Sequence, residues 1–238
     1  MTPERFDIYD DQQNWIGTEL RSVVHAKGFW HRSFHCWIVR DEGSQRLVLF
    51  QRRRDIKDTF PGCYDITAAG HLTAGEQLHE ASRELEEELG VQAPFETLTY
   101  LLTARQQLEG QVRGVPFIDR EFSSVFGLCL DQPLEKYTLQ ASEVDSLYEV
   151  PLDDLIALFR GETHVIQAQG MQAVQSASDQ VDQANRNSVP LPVQARHMRE
   201  IRAAEFVPHG TEYYIDVLEA LVHLPKNEPI LPITKLRS

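Results

Sequence analysis

The stretch Gly70-His-Leu-Thr-Ala-Gly-Glu76, followed after six residues by Arg83-Glu-Leu-Glu-Glu-Glu-Leu-Gly-Val91, decides how the rest of the chain is read. From Glu76 to Leu89 the residues Leu78, Ala81, Leu85 and Leu89 recur at three- and four-residue spacing, which predicts a helix with one buried face. Gly90 stands where a C-terminal cap is expected. On a helical wheel Glu80, Glu87 and Glu88 fall within about 60° of Glu84, on a different face from the leucines. Like charges at this spacing repel by a few tenths of a kcal/mol per pair, so grouping them is unfavourable. A divalent cation reverses the sign, and hard ions such as Mg²⁺ take carboxylate and phosphate oxygens alike. The helix by itself fits a solvated acidic face better; the residues around it decide.

Upstream, Phe6, Ile8, Trp15 and Ile16 flank a turn-like Asp10-Asp11, predicting a hairpin within residues 4–20. Ser33–Arg40 and Arg46–Arg52 read as an antiparallel pair across Asp41-Glu42-Gly43-Ser44, and Asp65–Ala69 as a strand that stops at Gly70. Downstream, strands are expected over Thr97–Thr103 and Glu121–Leu130, with a short helix over Pro151–Phe159 that opens on proline. Residues 166–188, rich in Gln, Ala, Ser and Asn, read as a loop, solvated helix or linker, and Thr211–Leu224 as a second helix before a proline-punctuated tail. Strands and helices interleave without regular βαβ repetition. The fold class is therefore α+β, a mixed β-sheet sandwiched between helices. A domain over residues 1–160 and a C-terminal extension over 161–238 are expected.

A net charge of −13 on 238 residues argues against general nucleic-acid binding, because phosphate backbones repel such a surface. A small anionic substrate is compatible with it only where metal and a few placed Arg or Lys override the field. No apolar run is long enough to span a membrane, and Met1–Asp7 lacks the basic start and apolar stretch of a signal peptide. Cys36, Cys63 and Cys129, far apart and odd in number, fit reduced core thiols in the cytoplasm. Oligomeric state is not legible.

The Gly70–Glu76 and Arg83–Val91 segments together resemble the Nudix box, the motif of a large family of diphosphate hydrolases. Its pattern is Gly, five residues, Glu, seven residues, then Arg-Glu-apolar-x-Glu-Glu-x-Gly-apolar. Every fixed residue is present, with one departure: six residues, not seven, separate Glu76 from Arg83. Either the junction into the helix is tighter, or Glu76 does not play its usual bracing role. The resemblance implies Mg²⁺ (or Mn²⁺) as cofactor, with Glu84 and Glu88 as principal metal ligands and Glu87 as a further ligand or the catalytic base. It implies that the Gly70 carbonyl completes the shell and that Arg83 orients the carboxylates.

Residues 5–160 further resemble a narrower group, Nudix proteins similar to type I isopentenyl-diphosphate isomerase. The matching segments are His31–Ile38, Gln51–Lys57, Phe60–Asp65, Ala69–Leu72 and Asp119–Phe126. The isomerase reading requires a cysteine immediately before the Gly-His pair, where Ala69 stands. It also lacks the first two ligand carboxylates, which here are kept as Glu84 and Glu87. Hydrolysis of a diphosphate linkage in a nucleoside di- or triphosphate, or a related small compound, is accordingly the expected activity. Isomerisation and a non-catalytic binding module are the alternatives. His31, His71, Asp119 and Glu121 match the isomerase's histidine/carboxylate metal positions, with His25 one residue out of step; such a donor set suits Zn²⁺ or Mn²⁺. Glu121 is also a candidate ligand or base. Arg52, Arg53 and Lys57 are the expected phosphate contacts. Trp30 could stack on a base; Phe34 and Trp37 are expected in the core.

Overall fold

The computed structural model describes residues 3–57, 59–172 and 196–226. Its centre is the antiparallel pair of strands β3 (Trp30–Glu42) and β4 (Gln45–Arg53). The run from Phe34 to Arg40 is buried without alternation because both faces of β3 are covered. Phe34, Cys36 and Ile38 pack with Ala81, Leu85 and Leu89 on one side. On the other, Trp37 and Val39 pack with Leu155, Ile156, Tyr214, Val217 and Leu218. The expected sandwich of a mixed sheet between helices is present.

The expected N-terminal hairpin is β1 (Arg5–Tyr9) with β2 (Trp15–Leu20), followed by an unanticipated short helix α1 (Arg21–Lys27). The single strand expected over Asp65–Ala69 is two: β5 (Tyr64–Asp65), on β4, and β6 (Ala68–His71), on β3. Thr67 separates them. Its hydroxyl accepts from Ile38 N at 3.0 Å and donates to the Leu49 carbonyl, taking ladder positions that backbone groups would otherwise fill. β6 runs on through Gly70 to His71.

The helix expected over Glu76–Leu89 is also corrected. Leu78–Ser82 is a 3₁₀ helix, and the α-helix, α2, covers only Arg83–Leu89 with Gly90 as its left-handed cap (φ 68°). A 3₁₀ helix rises about 2.0 Å per residue against about 1.5 Å for an α-helix. Its five residues therefore reach as far as six or seven in α-helix, which is how the short spacing between Glu76 and Arg83 is taken up.

The strands expected over Thr97–Thr103 and Glu121–Leu130 are parts of one long hairpin, β7 (Thr99–Val112) and β8 (Val115–Cys129). Arg113 and Gly114, with φ of 50° and 83°, make its tight turn. β8 lies parallel to β3, and this pairing makes the sheet mixed. β9 (Val144–Pro151) leads into α3 (Leu152–Phe159), close to the expected helix. The polar segment at 166–188 begins instead as a strand, β10 (Ile166–Gln172), with Ile166, Ala168 and Met171 buried; residues 173–188 lie outside the described residues. β10 pairs with β9 and with β11 (Arg196–Ile201), giving the order β11-β10-β9-β4-β3-β1-β2. The last helix, α4 (Thr211–Val222), packs on α3 and buries Tyr214, Val217, Leu218 and Leu221.

Candidate active site

α2 lies against β6 in a way that explains Gly70. A Cβ there would sit 2.1 Å from Glu84 Oε1, so only glycine lets the carboxylate lie on the strand. One turn on, Glu88 is buried, accepting from Gln51 Nε2 at 3.0 Å and lying 3.4 Å from Ala69 N. Burial, added to by Glu87 and offset in part by Arg83, pushes the Glu84 carboxyl up to about 7. Burial, with Glu84 nearby, pushes Glu88 up to about 8. Glu87 stands further out, its side chain 53% exposed, held by Arg83 Nη1 at 3.0 Å. Arg83 also reaches Glu84 Oε1 at 2.7 Å and Glu76 Oε1 at 2.8 Å. Glu76 in turn accepts from Thr73 N (2.8 Å) and Thr73 Oγ1 (2.9 Å), so it braces the loop despite the shortened spacing. Glu80 is turned back to its own turn, accepting from Gln77 N at 2.7 Å.

Successive strand side chains point to opposite faces. Gly70 backs onto Glu84, so His71 turns the other way, into a second set of donors. The ligand atoms of His25, His31, His71 and Asp119 all lie within 4.8 Å of one another. His25 Nε2 is 3.7 Å and His31 Nε2 3.4 Å from Asp119 Oδ1. Glu121 adjoins them, with Oε1 3.0 Å from His71 Nε2 and 3.8 Å from His31 Nε2. The strand register explains the meeting: His31 pairs with Glu121 across β3 and β8, and Ser33 with His71 across β3 and β6. His25 arrives from α1 and joins the cluster.

Three buried atoms in this cluster, His25 Nε2, His31 Nε2 and Asp119 Oδ1, have no hydrogen-bond partner among the described residues. Burial, with the neighbouring His31 charge, lowers His25 to about 3, and burial also lowers His31 and His71. The imidazoles are therefore neutral at pH 7, the form that ligates metal. Burial and the charge of Glu121 push Asp119 well above the carboxylate range. Glu121 goes the other way: burial opposes its charge, but hydrogen bonds from His35 and His71 outweigh it and hold the carboxyl well below that range.

A small pocket of about 50 Å³ opens beside the cluster, and its lining includes His71, Asp119, Glu121, Arg53, Thr59 and His209. The expected cation group is dispersed. Arg53 faces this pocket but already bonds Asp65 Oδ2 (2.9 Å) and the Thr59 carbonyl (3.0 Å). Arg52 pairs with Asp145 at 3.0 Å, and Lys57 with Glu143. Trp30 is already engaged by Phe122, at 4.7 Å between ring centroids, and by the Arg105 guanidinium at 4.6 Å. Phe34 and Trp37 are in the core, as expected.

Residues of this site assigned no role from the sequence are His35 and Gln51, both inside matching segments, and Gln106, His209 and Tyr213. His209 comes from the segment before α4 and is fixed between Asp65 Oδ1 (3.0 Å) and Gln106 Oε1 (2.8 Å). No local pattern marks Gln106, His209 and Tyr213, which tertiary packing brings in, whereas the resemblance over His31–Ile38 and Gln51–Lys57 was the signal available for His35 and Gln51.

The sheet between helices, with a carboxylate helix laid on a Gly-His strand end, defines a class that comparison with known proteins identifies. The NUDIX domain family matches residues 29–169. The chain belongs to the Nudix hydrolases, enzymes acting on diphosphate-containing substrates. It is 33% identical over 222 residues to an uncharacterized Nudix hydrolase of Clostridium acetobutylicum, covering 93% of this chain and 98% of that one. It is 39% identical over 161 residues to Nudix hydrolase 3 of Arabidopsis thaliana, covering 65% of this chain but 20% of that longer protein. An isopentenyl-diphosphate Delta-isomerase of Kocuria rhizophila is 32% identical over 139 residues, covering 56% of this chain and 73% of that one. The expected likeness to the isomerase branch is thus present. Among the described residues no helix is long and apolar enough to cross a membrane.

Proposed function

We propose that this protein is a divalent-cation-dependent hydrolase that splits a diphosphate linkage in a nucleoside di- or triphosphate or a related small diphosphate. The observation that carries the reading is the pair Glu84 and Glu88 on α2, one laid on Gly70 and the other buried beside it, and the unpartnered buried atoms at His25, His31 and Asp119 beside Glu121 support a cation at the neighbouring cluster. A buried polar atom without a partner costs about 1–3 kcal/mol, so three at one point favour a cation between them. Imidazole and carboxylate donors suit Zn²⁺ or Mn²⁺ there. The all-oxygen set of Glu84, Glu88, Glu87 and the Gly70 carbonyl suits Mg²⁺ or Mn²⁺. Bound cations polarise a phosphoryl group and make bound water a better nucleophile.

The chain's own residues then divide the work. Arg83 holds Glu84 and Glu87 apart from free rotation and ties both to the Glu76 brace. Glu87, the most solvent-accessible of the three, is placed to take a proton from water; Glu121 is the alternative base or a ligand. Arg53, which lines the pocket beside the cluster, is the phosphate contact in this reading, while Arg52 and Lys57 would serve only on release from Asp145 and Glu143.

Isomerisation is the weaker reading because Ala69 offers no thiol at the position where the isomerase chemistry needs a proton donor. A merely binding module is disfavoured by the retention of Glu84, Glu87 and Glu88. The test is a panel of nucleotides and small diphosphates with Mg²⁺ and Mn²⁺, scored for phosphate and diphosphate release. Turnover of at least one compound, abolished by EDTA, is expected. Failure across the panel, with full metal loading, contradicts the reading.

A further inference from the structure

Tyr213, on the first turn of α4, lies far along the chain from every candidate ligand, yet its buried hydroxyl is separated from Glu121 only by the His35 ring. It lies 2.9 Å from His35 Nδ1 and 3.3 Å from Trp37 Nε1. An indole N–H can only donate. The phenol oxygen therefore accepts from Trp37, and among the described residues the one acceptor placed for its own proton is His35 Nδ1. A His35 protonated at Nδ1 would leave the Tyr213 proton buried with nowhere to go, an arrangement that native interiors avoid. His35 is consequently held with its proton on Nε2.

That N–H faces Glu121 Oε2 at 3.6 Å. The same oxygen accepts from Ser33 Oγ at 2.7 Å and Ser123 Oγ at 3.2 Å. Two hydroxyls thus donate to Oε2 with the His35 N–H close by, while Oε1 is the oxygen turned to His71 and His31. We propose that Tyr213 is a positioning residue: it accepts from Trp37 and donates to His35, fixing the His35 tautomer whose N–H is aimed at Glu121 Oε2. Glu121 is thereby anchored through one oxygen and presents the other to the metal-binding cluster. The effect on turnover rests on the hydrolase reading above; the effect on His35 does not.

The experiment is nitrogen NMR of the imidazole side chains in the full chain, paired with kinetics and Mn²⁺ binding. In the wild type, His35 is expected as the Nε2–H tautomer. Tyr213→Phe removes the hydroxyl and should give a mixture of tautomers, a Mn²⁺ affinity lowered by about 10-fold and a kcat lowered by about 10-fold, with KM little changed. His35→Gln, whose amide nitrogen stands near the Nε2 position, should lose less activity and less Mn²⁺ affinity than His35→Asn, whose amide stands nearer Nδ1. An Nδ1–H tautomer in the wild type overturns the proposal. So does a Tyr213→Phe protein that binds Mn²⁺ as tightly as the wild type. If no diphosphate is hydrolysed by the wild type, the functional reading falls, and the tautomer and Mn²⁺ affinity still decide the role of Tyr213.

Discussion

Glu84 and Glu88 face each other's charge in a buried setting, and that fixes how pH acts on the protein. Without a cation both carboxyls hold their protons up to about 7 and about 8, well above the ordinary glutamate range. A group whose pKa is raised by folding favours the folded state at low pH and loses that contribution as pH rises through the folded value. The metal-free protein should therefore lose thermal stability between about pH 5 and pH 8 from this pair. Cation binding requires the carboxylates, so affinity should increase over the same range. Melting curves in EDTA and in excess Mg²⁺ check this: the stabilisation by Mg²⁺ should be larger at pH 8 than at pH 6. Equal stabilisation at the two values would show that these carboxyls do not hold the ion.

At the scale of elements, the junction between β6 and α2 determines whether the carboxylates are presented at all. Glu76 ties Thr73 at the strand end to Arg83 at the helix start, and the 3₁₀ turn between them sets the reach. Glu76→Ala removes an acceptor of charged hydrogen bonds in a nearly buried position, at about 1.5–3 kcal/mol. A melting temperature lowered by several degrees and weaker Mg²⁺ affinity are expected, because Arg83 loses its anchor and Glu84 its fixed partner. A variant that melts like the wild type would show the brace to be idle. The Nudix box was legible in the sequence because its chemistry depends on residues close together along the chain. The α-period of Leu78, Ala81, Leu85 and Leu89 marks the face that packs on the core, yet it does not distinguish the 3₁₀ start from α-helix, since i, i+3 spacing suits both. β10 escaped because Gln167, Gln169 and Gln172 alternate with small or flexible apolar residues, a pattern that composition alone assigns to a linker. The C-terminal half of β7, with Gln106, Gln107, Glu109 and Gln111, lacks the apolar alternation that marks its start for the same reason.

For the whole molecule, the expected division at residue 160 meets a continuous core. β10 pairs with β9, and Tyr214, Val217, Leu218 and Leu221 of α4 are buried against Phe159 and Trp37 in one cluster. Each fully buried side chain of this size contributes about 1.5–3 kcal/mol, so four of them match much of the roughly 5–15 kcal/mol net stability of a domain. A chain ended after Arg160 is therefore expected to lack a cooperative unfolding transition by circular dichroism; a sharp transition would show that residues 1–160 fold alone. The same extension carries His209 and Tyr213 into the site, which is why those residues could not be found from the box outward.

The central claim is that the cation-holding carboxylates of α2 perform diphosphate hydrolysis, and Glu88→Gln tests it most directly. Glutamine keeps the shape and still meets Gln51 and the Ala69 amide region, while removing the charge a cation needs. Steady-state turnover of the best substrate found should fall by about 100-fold or more in saturating Mg²⁺, with the melting temperature of the metal-free protein held or raised because a strained buried carboxyl is gone. Turnover within a few-fold of the wild type would contradict the account.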